Sequence, residues 1–222
     1  MSNHVVEVYT YEKQQWSGYE QGEKEGRRSA AECLERSVCS IYRTRQMIRR
    51  LILANFDNDS KFVTLTFKEN LIDLDEANKR FKRFIQRLRY KYQTFKYLAV
   101  IEFQERGAVH YHMISDLPYI KNKELAEIWK EGFVKITNIT HVDNVGAYMI
   151  KYMVKDLADK RLSGRKSYLC SKGLDKPFEA RGEEAERIIQ AYELEKRKPV
   201  FSSSYEGEYT GKVEYMEYNL RR

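Results

Sequence analysis

Two histidines one residue apart, His110 and His112, are the first side chains in this sequence whose type and spacing carry chemistry. They fall in the apolar run from Val109 to Ser115, which reads as a strand. Residues two apart on a strand project from one sheet face, so both imidazoles can converge on a single cation. A chain of this length with 4 histidines holds ~0.05 such pairs by chance. Glu102 lies in the apolar run before them, and a hairpin through Gly107 would return it beside the histidines as a hard oxygen donor. Gln104 shares that face and offers only an amide oxygen.

A second chemical pair follows. Tyr148 and Tyr152 are four apart in a stretch read as helical, so they lie on one face and can address one site in turn. The spacing alone is cheap, because 17 tyrosines give ~1.2 such pairs by chance, and Tyr205 with Tyr209 is another. What separates the first pair is a lysine three residues after each member, Lys151 and Lys155, which lowers the chance expectation to ~0.01. A phenol titrates near pH ~10, so as a nucleophile it gains from cationic charge that favours its phenolate. A divalent ion on the histidines would polarise a phosphate and orient it for in-line attack. Attack by tyrosine conserves the bond as an ester, so a second hydroxyl can reseal it.

These groups need a scaffold. Phe62 to Phe67 alternates as a strand, and Leu74 to Tyr92 turns helical, with Leu74, Ala77, Phe81, Phe84, Ile85 and Leu88 on one stripe. Tyr97 to Phe103 and Val109 to Ser115 read as two buried strands joined at Gly107. Lys121 to Lys130 reads as a short helix, Gly132 to Thr137 as a strand and Val145 to Lys155 as a helix. Further on come a strand at Tyr168 to Cys170, a helix at Glu183 to Leu194 and a hairpin over Tyr205 to Tyr218 turning near Gly211. Upstream, Ser29 and Glu32 resemble a capping box that opens a helix to about Asn55. One face of that helix carries Arg43, Arg45, Arg49 and Arg50, which suit either a run of phosphates or plain solvent. Residues 1–28 show no sustained period and read as a mobile leader. Residues 29–222 are expected to form a single domain, with the basic helix at 29–55, a catalytic core over about 60–160 and an extension from about 161. Strands interleaved with helices, partly through hairpins, predict an α+β fold with a mainly antiparallel sheet.

Bulk properties agree. A formal charge of +7, a pI near 9.1 and 13% aromatic residues favour a polyanion with unpaired bases. The 3 cysteines are unpatterned, which argues against a disulfide framework and fits a reducing cytoplasm. Apolar stretches are too short for a membrane span. No phosphate-cradling Gly-x-x-x-x-Gly-Lys-Ser/Thr occurs, so any duplex unwinding is assigned to another protein.

The runs Phe62-Val-Thr-Leu-Thr-Phe67, Glu102 through Arg106-Gly107-Ala108-Val109-His110-Tyr111-His112, and Tyr148-Met-Ile-Lys151-Tyr152 together resemble the HUH endonucleases. Within that superfamily they are most similar to two-tyrosine rolling-circle replication initiators of bacterial plasmids and phages. The Ser171-Lys172-Gly173-Leu174 stretch before Pro177 also looks like an initiator segment, so the resemblance covers roughly residues 36–220. Histidines that precede the tyrosines match the initiator order, whereas conjugative relaxases place the tyrosine first. The resemblance implies a five-stranded ferredoxin-like, HUH nuclease fold flanked by helices and Mg²⁺ or Mn²⁺ on Glu102, His110 and His112. It further implies nucleophilic Tyr148 and Tyr152, a 5′-phosphotyrosine link and a free 3′-OH. Arg106, inside the motif, joins the N-terminal arginines as a DNA-binding candidate. Expected partners are single-stranded or hairpin origin DNA and a host helicase, in a bacterial cytoplasm. A two-tyrosine transposase would share the site, and a non-catalytic single-strand binder would keep binding without the tyrosines. A cupin-type oxygenase expects a glutamate four to five residues after His-x-His, where this chain has Asp116 and Leu117.

Overall fold

The computed structural model describes residues 1–13, 30–153, 160–162, 165–207 and 209–222, with side chains undescribed at 30–40, 153 and 160. The elements in chain order are β1 (Val5–Tyr11), α1 (Ala30–Asn55), β2 (Lys61–Phe67), α2 (Leu74–Tyr92), β3 (Tyr97–Phe103), β4 (Val109–Ser115) and α3 (Asn122–Trp129). They continue with β5 (Gly132–Thr137), α4 (Val145–Ile150), β6 (Tyr168–Cys170), α5 (Glu183–Ala191), β7 (Phe201–Gly207) and β8 (Gly211–Asn219). They divide into two compact units, Leu34–Lys176 and the joined ends Met1–Cys33 with Pro177–Arg222, where a single domain over 29–222 was expected.

The unit Leu34–Lys176 is built on a five-stranded sheet in the order β5-β2-β4-β3-β6, in which every neighbouring pair is antiparallel. This is the expected α+β architecture. The β3–β4 turn closes through Gly107, whose φ of +86° a side-chain-bearing residue rarely adopts, and Gln104 N–H donates to the Ala108 carbonyl at 2.9 Å. That turn sets the register that pairs Glu102 directly with His110 and Val100 with His112.

Strand alternation then divides the sheet into two faces. Val63, Leu65, Phe67, Ala99, Ile101, Val109, Tyr111 and Met113 point to one side and pack with Phe81, Phe84 and Leu88 of α2 and Trp129 of α3. Asp73 caps α2 by accepting from the backbone N–H groups of Asp75 and Glu76 at 2.8 and 3.2 Å, and these bonds hold its carboxyl below the usual range. The other face carries Phe62, Thr64, Thr66, Glu102, His110 and His112, and α4 lies over it, because Phe62 meets the rings of Tyr148 and Tyr152. Gly146 lets α4 approach α1. A Cβ there would stand 2.6 Å from the Arg49 carbonyl and 2.9 Å from Leu53 Cγ.

In the other unit β1, β8 and β7 form a three-stranded antiparallel sheet, and Val6, Tyr218 and Leu194 form its small core. Residues 5–11, expected to be part of a mobile leader, instead pair with 213–219. A strand completed by a partner some two hundred residues away leaves little local signature.

Candidate metal and tyrosine site

Glu102, His110 and His112 each contribute one ligand-type atom to a group lying within 4.8 Å of one another. The hairpin does this positioning, since β3 and β4 place the carboxylate and both imidazoles on one face in adjacent register. His112 is 5% exposed; its Nε2 meets Glu102 Oε2, and its Nδ1 lies 3.2 Å from Thr64 Oγ1 on β2. A hydroxyl on the far nitrogen fixes the ring's orientation, the arrangement metal-binding histidines use. His110 Nε2 is buried and has no hydrogen-bond partner among the described residues. Burial, together with the nearby His112, depresses the His110 pKa to about 4 against the opposing pull of Glu102, so the ring is neutral at pH 7 with a lone pair available. An orphaned imidazole nitrogen beside a second histidine and a carboxylate fits a divalent cation.

The tyrosines stand next to this group. Tyr152 stacks on His112 with centroids 4.1 Å apart at 22°, and on Phe62 at 5.3 Å. Its hydroxyl donates to that of Tyr148 at 3.3 Å. Burial pushes the Tyr152 phenol well above its ordinary pKa, and the Tyr148 hydroxyl and the Glu102 carboxylate add to the rise. Lys151 Nζ lies over the Tyr148 ring, 3.7 Å from its centroid, and 5.1 Å from that of Tyr152. Its charge therefore reaches the π faces. The expected helix over 145–155 ends at Ile150 and tightens into a 3₁₀ turn at Lys151–Met153, yet the two tyrosine rings remain 5.8 Å apart. Lys155 lies outside the described residues.

The arginines separate. Arg43 is exposed, Arg45 and Arg50 are half-buried, and Arg49 is 5% exposed beneath Gly146, so Arg49 does not belong to a solvent-facing basic row. Its place facing α4 is the reason. Arg106 is exposed and donates to Gln104 Oε1 at 2.9 Å and to the Phe67 carbonyl at 3.3 Å. With Glu102, His110 and Arg161 it lines an open cleft of about 720 Å³. Sequence reading missed Arg161, which comes from the 3₁₀ turn at 160–162, lies 3.7 Å over the Phe103 ring and donates to the Gly107 carbonyl at 3.1 Å. No local pattern marks it. Thr64 was also missed, although its place in an alternating strand puts it on the histidine face. The middle residue Tyr111 points the other way, buried, with its hydroxyl donating to Asn78 at 2.9 Å.

Fold and site define a class: an antiparallel α+β sheet with a two-histidine, one-carboxylate group beside paired tyrosines. Residues 60–157 match the model of the replication-associated protein ORF2 family, so over that segment the resemblance to replication proteins holds at the level of family. The match runs from the start of β2 past the tyrosine pair and therefore spans the whole candidate site. No curated protein and no solved structure gives a significant match. Among the described residues, no helix is long and apolar enough to cross a membrane.

Proposed function

We propose that this chain is a rolling-circle replication initiator of the HUH type, a nuclease that nicks and rejoins single-stranded or hairpin origin DNA. The observation that carries the reading is the stack of Tyr152 on His112, which sets a nucleophile against a ligand group suited to a divalent cation. Glu102, His110 and His112 would hold Mg²⁺ or Mn²⁺, which when bound supplies charge that polarises the scissile phosphate. Thr64 orients His112, and the buried, neutral His110 keeps its lone pair for coordination.

In the first step a tyrosine Oη forms a bond to phosphorus while the bond from phosphorus to the 3′ oxygen breaks. The phenol loses its proton, the 3′ oxygen gains one, and the strand is left as a 5′-phosphotyrosine ester with a free 3′-OH for a polymerase. Attack by a 3′-OH on that ester reverses the step and restores the tyrosine. The hydroxyl contact between Tyr152 and Tyr148 supports successive use of both, because a phosphate reached by one lies close to the other. Exposed Arg43 and Arg106 are candidates for phosphate contacts, and duplex opening is left to a host helicase. The replication-associated description of the matched family favours initiation over transposition.

The test is covalent capture. Single-stranded oligonucleotides tiling the DNA around the chain's own gene are mixed with the protein and Mn²⁺, then denatured. A protein–DNA adduct that survives denaturation is the expected product, and the reading fails if no oligonucleotide gives one with correctly folded protein.

A further inference from the structure

We infer that Phe133, flanked by Lys135, is a stacking platform for an unpaired base near the phosphate addressed by the metal and tyrosine site. The inference rests on the nucleic-acid reading above and extends the site to an edge of the sheet where no role has been assigned. β5 is an edge strand, and its register with β2 pairs Phe133 with Thr66 and Lys135 with Thr64. On β4 the same Thr66 pairs with His110 and Thr64 with His112, and His110 pairs with Glu102 on β3. Phe133, Thr66, His110 and Glu102 therefore form one row across a single sheet face, with Lys135 in the next row beside Thr64 and His112. Two strand spacings, roughly 10 Å, separate Phe133 from His110.

Phe133 is 64% exposed, while Val134, the next residue on the strand, is 1% exposed in the core. The aromatic ring is thus on the solvated side of the sheet, and among the described residues it has no ring partner. Thr66 between Phe133 and His110 is short, so nothing as bulky as an aromatic ring fills that row between them. Exposed Lys135 adds a cation on the same face. An aromatic face with a neighbouring cation is what sequence-tolerant binding of single strands uses, since every base has a π face and every nucleotide a phosphate. Close strand pairing holds the platform in place: a Cβ at Gly132 would stand 2.4 Å from the Thr66 carbonyl.

The test uses the full chain and a fluorescein-labelled dT20 oligonucleotide, with binding read by anisotropy. Phe133→Ala is expected to weaken binding about tenfold, within the roughly 5- to 150-fold carried by one stacked base. Phe133→Trp is expected to retain affinity and to show tryptophan emission quenched on adding dT20, a signal a purely structural role would not give. Phe133→Leu separates stacking from apolar bulk and should weaken binding nearly as much as alanine. Lys135→Gln should reduce the salt dependence of binding by about one phosphate contact. Mn²⁺ affinity should stay at the wild-type value in all four variants. Full binding by Phe133→Ala and Phe133→Leu, with wild type binding dT20, overturns this inference alone. Failure of the wild type to bind any single strand overturns the nucleic-acid reading and this inference with it.

Discussion

Tyr152 lies face to face with His112, their ring centroids 4.1 Å apart and 22° from parallel, so one tyrosine of the pair is in ring contact with the ligand group. Tyr148 reaches that group only through Phe62 and the Tyr152 hydroxyl. The two are therefore expected to differ in role. Tyr152→Phe should reduce the initial adduct with origin DNA by roughly 10³-fold, the scale on which loss of a nucleophile acts. Tyr148→Phe should leave first cleavage within a fewfold and impair transfer of the strand to a second DNA. Equal loss of the first adduct in both variants would contradict the assignment; a denaturing gel resolves it.

The raised Tyr152 phenol pKa has a metal-dependent component. The Glu102 carboxylate contributes to the rise, and a divalent cation on Glu102 cancels that charge. Adding Mg²⁺ should therefore lower the pH at which the Tyr152 phenol ionises, so that at a fixed alkaline pH more phenolate is present. The difference in ultraviolet absorbance titration between wild type and Tyr152→Phe isolates this tyrosine. An unchanged difference curve on adding the metal would count against a cation beside Glu102.

His110 makes the metal-free protein acid-sensitive. Its folded pKa of about 4 lies below the ordinary 6.5, so the unfolded chain binds the extra proton first as pH falls. The corresponding stability is intact above about pH 6.5 and is lost progressively between there and about pH 4. With solvent screening allowed for, the loss is of order 2 kcal/mol. Urea melts in EDTA should show wild type losing more stability over that window than His110→Gln. Parallel pH profiles would remove His110 as the cause.

Removing the metal or its ligands should separate chemistry from affinity. His110→Ala or His112→Ala, or EDTA with wild type, is expected to reduce adduct formation by about 10² or more while single-strand affinity changes less than about threefold, because contacts to the strand lie elsewhere. Matching losses of cleavage and binding would mean that these residues hold DNA and not a cation.

Gly146→Ala tests the seat of the tyrosines. The new methyl would stand 2.6 Å from the Arg49 carbonyl, a backbone atom of α1 with little room to yield. The expected cost is about 1–3 kcal/mol in a thermal or urea melt, with a further drop in adduct formation as α4 shifts. Wild-type stability would show that α4 does not depend on this close approach.

Much of this scaffold was legible because its signals are local. Phe62–Phe67 alternates, α2 carries an unbroken apolar stripe, and Gly107 marks the turn that puts Glu102 opposite His110. The metal group therefore followed from strand parity and a single hairpin. What escaped depends on distant partners. The switch from α4 to a 3₁₀ turn at Lys151 separates tyrosines whose spacing reads as one continuous helix. Arg49 belongs by spacing with the other arginines of α1, and only its place facing Gly146 buries it. Arg161 reaches the hairpin carbonyl of Gly107 from 54 residues downstream, a relation no window of sequence contains. Phe133 looked like an ordinary strand aromatic until its register placed it in the His110 row.

The pairing of β1 with β8 also orders events in time. Val5–Tyr11 leaves the ribosome long before its partner strand Gly211–Asn219 has been made. The strands of the five-stranded sheet have all been synthesised by Cys170, so that sheet can close while β1 still waits. A chain halted after Lys176 would carry every metal and tyrosine residue named above and an N-terminal strand with no sheet to join. Its unpaired edge would be the aggregation-prone part of an otherwise finished unit.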